Sequence, residues 1–192
     1  MPEQRKIPPD WEIKIKWNVK LFRGINRKRS RFLDIFYKYF FRLGKSYTLP
    51  LFLPVFFIYG KWEAIIHLTV SLSITGVVMP AIKFTFRHQR PSKLLDDVYL
   101  LEPVGFKSFP SADAAYAFTL FSVMLFYGSW WIILLMFVYA VLIGYGRVYM
   151  GAHFPLDVMV GSFIGFSAGI CGYFLLAPVE SVLLDIFSYF QH

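Results

Sequence analysis

Long apolar stretches constrain this chain more than any other feature of its sequence. A helix that crosses a bilayer needs about 20 mostly apolar residues. Four stretches come close to that length: Ala64–Ile82, Ala114–Tyr127, Trp130–Tyr145 and Val158–Ala177. A fifth, Ser46–Tyr59, is shorter and contains two prolines. With 57% hydrophobic residues, a soluble domain is a poor alternative. The sequence predicts an all-α integral membrane helical bundle of five to six transmembrane elements.

The first 45 residues are strongly basic and include a predicted amphipathic interfacial helix. They contain 13 of the 20 Lys and Arg residues and a net charge of +9. Nucleic acid is a poor partner for this charge, because no recognised binding motif accompanies it. Anionic lipid fits better, since residues 31–45 divide into an apolar and a mostly basic stripe at helical spacing. The apolar stripe is Phe32, Ile35, Phe36, Tyr39, Phe40 and Leu43, and the other is Arg31, Asp34, Lys38, Arg42 and Lys45.

Three polar clusters interrupt the apolar core, and the direction of the helices places them together. Residues 83–91 end one helix, residues 109–118 open the next, and residues 146–157 join the last two. Because consecutive spanning helices alternate in direction, all three clusters are expected at one end of the bundle. The sequence thus predicts a basic amphipathic interfacial region over residues 1–45 and a transmembrane core over 46–192 with its polar site at one membrane surface.

The chemistry of these clusters suits a phosphoryl group. Arginine offers a planar fork for phosphate oxygens, and lysine offers a point charge. Ser111 is an expected N-cap and Pro155 fits the first turn of the last helix, so free N–H groups and two helix dipoles favour an anion there. The candidate cations are Lys83, Arg87, Arg90, Lys93, Lys107 and Arg147.

His153 and Asp157 form the candidate reactive pair. They are four residues apart across a helix start, a spacing that puts both on one face. A carboxylate there can hold one imidazole N–H and present the other ring nitrogen as a nucleophile or base. The alternative is an ordinary pair that stabilises the start of a helix. The neighbouring Arg147 and the two other basic clusters favour catalysis.

In order and spacing, these residues resemble the signatures of the type-2 phosphatidic acid phosphatase family, which also includes vanadium haloperoxidases. Three signatures are matched in turn: Lys83 with Arg90-Pro91, then Pro110-Ser111, then Arg147 with His153 and Asp157. The resemblance covers about residues 60–177 and implies a phosphatase that uses no metal and no cofactor. By analogy with that family, His153 would form a phosphohistidine and Asp157 would orient the histidine. The phosphoryl oxygens would be held by Lys83, Arg90, Ser111 and Arg147.

The second signature departs from the family pattern at its acid. The family reads Pro-Ser-Gly-His, with a histidine that protonates the leaving group, whereas this chain reads Pro-Ser-Ala-Asp. Asp113 is therefore the candidate general acid, although an acid in the first turn also stabilises a helix dipole. His88 is an alternative donor, and Arg87 and Lys107 are additional candidate contacts. A leaving group that needs little protonation, such as a glycosyl phosphate, is a third solution.

The resemblance also implies a substrate. The chain looks most like bacterial lipid A 1-phosphatases, with phosphatidylglycerol phosphate, phosphatidic acid and undecaprenyl diphosphate as alternative substrates. The expected partners are the bilayer and a membrane phospholipid or glycolipid, with no nucleic acid. The competing classes are a catalytically impaired protein that binds anionic lipid, a vanadium haloperoxidase and a transporter.

The expected location rests on two indications that disagree. The family's catalytic end usually faces away from the cytoplasm, which implies a bacterial inner membrane protein with its site in the periplasm. The basic residues of 1–45 favour the cytoplasm by the positive-inside rule. The two agree if Arg31–Leu43 also crosses, which makes six elements with a tilted hairpin over residues 31–59. The alternative is that the basic region lies on the outer surface.

Overall fold

The computed structural model describes residues 10–86, 88–103, 105 and 107–182. Residues 1–9 and 183–192, which belong to the two predicted regions, lie outside this part. All regular structure in the described residues is helical. Two 3₁₀ segments, Phe41–Gly44 and Ser46–Phe52, lead into the core. The α-helices are α1 (Trp11–Lys14), α2 (Lys16–Asn26), α3 (Arg31–Phe40), α4 (Leu53–Phe86), α5 (Pro91–Leu94), α6 (Ala112–Met124), α7 (Trp130–Tyr149) and α8 (Pro155–Phe174).

Four apolar helices, α4, α6, α7 and α8, form the bundle. Three stretches of the described chain are long and apolar enough to cross a membrane: Tyr47–Leu94, which contains α4, Trp130–Tyr149 and Pro155–Phe174. Helix α6 is apolar but has only 13 residues. The prediction of an all-α integral membrane bundle is confirmed, and the count of five to six spanning elements stays a prediction.

The first predicted apolar element has an irregular start and a sharp end. Ser46–Tyr59 is expected to be a helical element of its own, and Lys61, whose φ of 50° and ψ of −142° are not helical, does separate it from the helix that ends at Phe86. The element begins as a 3₁₀ segment, Ser46–Phe52, before the α-helix starts at Leu53. Pro50 has no backbone N–H and cannot continue an α-helical hydrogen-bond ladder, which accounts for the tighter geometry.

Helices α6 and α8 approach each other closely because glycines of α8 face the backbone of α6. A Cβ atom at Gly165 would lie 1.9 Å from the carbonyl oxygen of Ala115, and one at Gly161 would lie 2.3 Å from that of Ser111. Small residues permit such an approach between membrane helices. The same contact fixes the start of α6 against the start of α8, where the Ser111 amide donates to the Asp157 carbonyl at 3.0 Å.

The basic N-terminal region packs on the end of the bundle that carries the polar clusters. Phe22 of α2 is fully buried against Phe154, with ring centroids 5.2 Å apart. The Asn18 side chain accepts a hydrogen bond from the Leu156 amide at 3.0 Å, and the Asn26 amide group donates to the Tyr149 carbonyl at 2.9 Å. Residues 10–26 therefore share one end of the molecule with the start of α8.

Helix α3 presents two faces of different character. Tyr37 is buried against Tyr149, whereas Phe32 is 74% exposed on the opposite side. Farther along, the Tyr139 hydroxyl donates to the Leu43 carbonyl at 2.8 Å, and the ring of Tyr127 lies against Gly60. Residues 31–60 thus follow α7 from the polar end of the bundle to the far end.

Large aromatic side chains mark the far end. Trp62, Trp130 and Trp131 are each at least 60% exposed there, beside the kink at Lys61. Tryptophan and lysine are typical of the boundary between the hydrocarbon core and water. The long axis of the bundle therefore runs between this aromatic end and the polar end.

Candidate functional site

The residues of the third signature form a buried pair at the start of α8. His153 is 1% exposed and Asp157 is fully buried. The Nδ1 atom of His153 lies 3.1 Å from Oδ2 of Asp157, while Nε2 lies 3.0 Å from the Arg90 guanidinium, which can only donate. These contacts place the ring proton on Nδ1 and leave a lone pair on Nε2. Burial lowers the pKa of His153 to about 3, against the opposing hydrogen bond to Asp157, so the imidazole is neutral at physiological pH.

Two further donors fix the Asp157 carboxylate. The Phe154 amide donates to Oδ2 at 3.0 Å, and the Ser108 hydroxyl donates to the same oxygen. Ser108 is fully buried and also lies 3.4 Å from Nδ1 of His153. Sequence reasoning missed Ser108. The one available signal was that Ser108 lies just before Pro110 of the second signature. It stands in a loop, where no helical periodicity indicates which side chains are buried.

Arg90 is held in place by backbone carbonyl groups. Its Nε donates to Gly105 at 2.7 Å, and its Nη1 donates to Ala152 at 2.7 Å. The side chain is 8% exposed. Because these carbonyl groups are fixed by the fold, the guanidinium stays directed at Nε2 of His153. The predicted approach of the first and third signatures is therefore present in the structure.

Arg147 is surrounded by acidic and aromatic groups. Its Nη1 donates to Glu102 at 2.7 Å, its Nε lies 3.1 Å from Oδ2 of Asp113, and its guanidinium lies 4.2 Å from the centre of the Phe41 ring. Lys45 also reaches Glu102, at 3.4 Å. Glu102, in the loop before α6, therefore pairs with both cations. Its carboxylate is half-buried and neutralises Arg147 and Lys45.

Lys83 and Ser111 complete the cluster that the signatures predict. Lys83 is half-buried at the end of α4 and interacts electrostatically with Arg90, Arg147, Asp113 and Asp157. Ser111 is fully buried at the start of α6, and its hydroxyl has no hydrogen-bond partner in the described part of the chain. The hydroxyl also makes no capping bond to its own helix. It is thus free to serve a ligand.

The three additional candidates have different outcomes. Arg87 lies outside the described residues. The ammonium group of Lys107 lies 3.6 Å from the centre of the Phe84 ring. His88 is fully buried, and its Nε2 accepts a hydrogen bond from the indole of Trp11. Its ring also packs at 5.5 Å from Phe109, so the described contacts of His88 are with aromatic side chains and the N-terminal helix.

The N-terminal helix α1 reaches the site, which sequence reasoning did not foresee. Glu12 is 1% exposed, and its carboxyl group lies near enough to that of Asp157 to interact with it electrostatically. Its Oε2 lies 3.7 Å from Nδ1 of His88. Burial raises the pKa of Glu12 to about 7. A single acid in a basic segment offers no sequence signal for such a position.

The fold and the cluster together define a class: an integral membrane protein with an anion site around a buried histidine–carboxylate pair. Comparison with known proteins names the family. The model of the PAP2 superfamily matches residues 64–178, and the chain belongs to that superfamily. It is a metal-independent membrane lipid phosphatase. The resemblance seen in the sequence is confirmed.

Three similar proteins illustrate the range within the family. The crystal structure of Aquifex aeolicus LpxE superposes with a TM-score of 0.78 at 39% identity, over 88% of this chain and 98% of that one. The undecaprenyl-diphosphatase of Sulfolobus acidocaldarius is 31% identical over 156 residues, 80% of this chain and 76% of that protein. The lipid A 4'-phosphatase of Bacteroides thetaiotaomicron is 29% identical over 170 residues, 80% of this chain and 73% of that protein.

Proposed function

We propose that this chain hydrolyses a phosphate monoester on a lipid headgroup, through a phosphohistidine on His153. The observation that carries the proposal is the convergence of Arg90 and Asp157 on one buried imidazole, with Arg147 near enough to interact with it electrostatically. Asp157 holds Nδ1–H. The lone pair of Nε2, which accepts a hydrogen bond from Arg90 in this structure, becomes the nucleophile when Arg90 donates to a phosphoryl oxygen instead. A neutral imidazole with one nitrogen blocked by a carboxylate attacks through the other.

The phosphoryl group is bound by the cationic cluster. Arg90 and Arg147 hold its oxygens by guanidinium N–H groups, Lys83 adds charge, and Ser111 adds its free hydroxyl. Such fixed donors stabilise the charge that develops in phosphoryl transfer. In the ligand-free structure Glu102 and Asp113 occupy Arg147, so a bound phosphate replaces one or both of these carboxylates on the guanidinium.

Asp113 is the general acid of this mechanism. When the substrate phosphate binds the Arg147 guanidinium, the carboxylate of Asp113 leaves its ion pair. It then receives a proton from the phosphate monoanion. Nε2 of His153 then bonds to phosphorus while the bond from phosphorus to the lipid oxygen breaks, and Asp113 gives its proton to that oxygen. In the second half water attacks phosphorus, its proton passes to Asp113, and the phosphorus–nitrogen bond breaks to release inorganic phosphate.

The proposed substrate is lipid A phosphorylated at its 1-position. The similarity to a lipid A 4'-phosphatase supports a glycolipid, and the replacement of the usual acid by Asp113 suits a glycosyl phosphate, whose leaving oxygen needs little protonation. The alternatives are phosphatidylglycerol phosphate, phosphatidic acid and undecaprenyl diphosphate. The similarity to an undecaprenyl-diphosphatase supports the last of these.

The proposed location is a bacterial inner membrane, with the catalytic end and the N-terminal region facing the periplasm. The packing of α2 on the start of α8 supports a shared side for both. The test is labelling of single cysteines at the exposed positions Lys20 and Lys93 and at Lys61 of the far end, in a Cys171→Ser background. Labelling by an impermeant reagent at the first two positions and not the third is expected. The reverse pattern contradicts the orientation.

The experiment that tests the proposed function is phosphate release by purified protein from a panel of these four lipids. Wild-type protein is expected to hydrolyse lipid A 1-phosphate with the highest kcat/KM, and His153→Ala is expected to be inactive on every lipid. A preference for another lipid overturns the substrate. Hydrolysis that survives His153→Ala overturns the mechanism.

A further inference from the structure

The N-terminal helix α1 inserts a carboxyl group behind the reactive pair. Glu12 is almost completely buried, and its carboxyl group interacts electrostatically with that of Asp157. The adjacent Trp11 donates its indole N–H to His88, whose Nδ1 lies 3.7 Å from Glu12. The side chains of α1 thus interact with both the carboxylate that holds His153 and a histidine from the loop after α4.

The donors around Asp157 leave one of its oxygens without a partner. Oδ2 receives hydrogen bonds from Ser108 and Phe154 and lies 3.1 Å from His153. Oδ1 has no donor in the described residues, and neither oxygen of Glu12 has one. Two buried carboxyl groups that interact are both charged only at a high cost, so one of them keeps its proton. That proton supplies the hydrogen bond that Oδ1 of Asp157 otherwise lacks.

We propose that Glu12 is a positioning residue, whose neutral carboxyl group donates a hydrogen bond to Oδ1 of Asp157 and thereby fixes the carboxylate that orients His153. The inference rests on the proposed role of His153. Because Asp157 already receives donors on Oδ2, the carboxylate is the better anion, and Glu12 is the group that holds the proton. The N-terminal region then acts as a part of the active site.

The proposal gives the enzyme a pH dependence with a definite sign. The titratable groups near Glu12 are Asp157 of α8 and His88, with His153 and Lys83 beyond Asp157. Below a pH of about 7 Glu12 is neutral and donates. As the pH rises through that value, Glu12 ionises and two carboxylates face each other. The kcat of the wild-type enzyme therefore falls on the alkaline side.

The position of α1 does not depend on Glu12 alone. Helix α2 is anchored by buried Phe22 and by the hydrogen bonds of Asn18 and Asn26. A change at Glu12 is therefore expected to leave the N-terminal region packed on the core. Asp10 of the same segment is half-buried and pairs only with Lys14 among the described residues, so Asp10→Asn is a matched control.

The test compares Glu12→Gln, Glu12→Ala and Asp10→Asn, all checked for folding by thermal unfolding. Glutamine keeps a donor that does not ionise, so kcat near pH 6 stays close to wild type and the alkaline fall disappears. Alanine removes the donor, and kcat falls about ten- to a hundredfold with little change in KM. Asp10→Asn behaves as wild type. A normal kcat and pH profile in Glu12→Ala, or equal damage by glutamine and alanine, overturns the proposal.

A second readout needs no turnover. An infrared difference spectrum of wild type against Glu12→Gln at pH 6 is expected to contain the band of a protonated carboxyl group, which disappears as the pH rises through about 7. Absence of this band overturns the role of Glu12 even in an active phosphatase. If the band is present and no lipid is hydrolysed, the proposed function is wrong, but the hydrogen bond from Glu12 to Asp157 is still supported.

Discussion

Two buried histidines of this molecule have opposite surroundings. His67, in the middle of α4, is fully buried, and its Nε2 lies 2.8 Å from the Gly169 carbonyl oxygen of α8. Its ring packs on the aromatic rings of Phe126, Tyr127 and Tyr173. His153 is equally buried, but it has a carboxylate on one nitrogen and a guanidinium on the other.

The difference lies in the charged groups around each ring. The neighbours of His67 along α4, Ser71 and Thr75, donate to carbonyl groups of their own helix, and Thr75 also pairs with Thr119 of α6 at 2.8 Å. This row of hydroxyl groups joins helices, and no Lys or Arg of the described residues pairs with it. An ionisable residue within a membrane protein is a candidate for function, but of these two histidines it is His153 that has an orienting carboxylate and neighbouring cations. Burial alone does not distinguish the two.

The largest expected effect separates the two histidines directly. His153→Ala removes the nucleophile and is expected to lower kcat/KM by about 10⁴-fold or more. His67→Ala removes one hydrogen bond and packing in the core, so it lowers the melting temperature and leaves kcat per folded molecule within a few-fold. The measurements are lipid phosphate release and thermal unfolding of both variants. Comparable activity loss in a folded His67→Ala variant would break the distinction.

The next effect concerns the two arginines near His153. Arg90→Ala and Arg147→Ala are each expected to lower kcat by about 10²- to 10³-fold, because transition-state charge loses a fixed donor. Lysine at either position should recover a part of this loss, since it restores charge without the planar fork. Arg31→Ala, an exposed cation of α3, is the control and should retain full activity. Unchanged kcat in both site variants contradicts the phosphate cluster.

Asp113→Asn tests the acid that replaces the family histidine. An amide cannot donate a labile proton in this way, so kcat for a lipid with a simple alcohol leaving group is expected to fall about 10²-fold. The loss should be smaller for a glycosyl phosphate, whose leaving oxygen needs less help. Near-normal turnover of both substrates would eliminate Asp113 as the acid and direct the search to His88.

Two buried serines provide a smaller contrast of the same kind. Ser108→Ala removes a donor to Asp157 and is expected to lower kcat about tenfold with little change in melting temperature. Ser122 donates to the Phe166 carbonyl at 2.8 Å in the bundle, and Ser122→Ala is expected to change stability more than kcat. Measurement of kcat and thermal unfolding for both variants checks the pair. An equal effect of both serines on kcat would argue against a special role for the polar end.

The smallest expected effect on chemistry comes from the helix contact itself. Gly165→Ala places a Cβ atom 1.9 Å from the Ala115 carbonyl oxygen and is expected to destabilise the fold by about 1–3 kcal/mol, with only a modest change in kcat of the folded enzyme. Gly24→Ala, where no atom lies within 4 Å, is the control. Equal thermal stability of the two variants contradicts the close packing of α6 on α8.

The sequence predicts the residues whose positions follow from helix direction. Five site residues stand at or near helix ends: Lys83, Arg90, Ser111, Arg147 and His153. Because consecutive helices alternate in direction, those ends come together at one side of the bundle. Local spacing likewise places Asp157 beside His153. The family signatures are local in the same sense, so they are readable without a structure.

The residues that were missed depend on contacts between distant parts of the chain. Glu12 lies in a basic segment that reads as a membrane-surface helix, and its burial follows from the docking of α2. Ser108 and Glu102 belong to the loop between α4 and α6, where no period marks a buried side. The 3₁₀ geometry of Ser46–Phe52 was missed for a different reason, because Pro50 interrupts an apolar stretch that otherwise reads as an α-helix.

The most direct test of the central claim is the identity of the residue that carries phosphate during turnover. Enzyme mixed with lipid labelled at its phosphate and quenched in alkali, which preserves phosphohistidine, should yield one labelled peptide that contains His153. The label should be absent from His153→Ala and present in His67→Ala. Label on any other residue, or rapid hydrolysis by His153→Ala, would contradict the account.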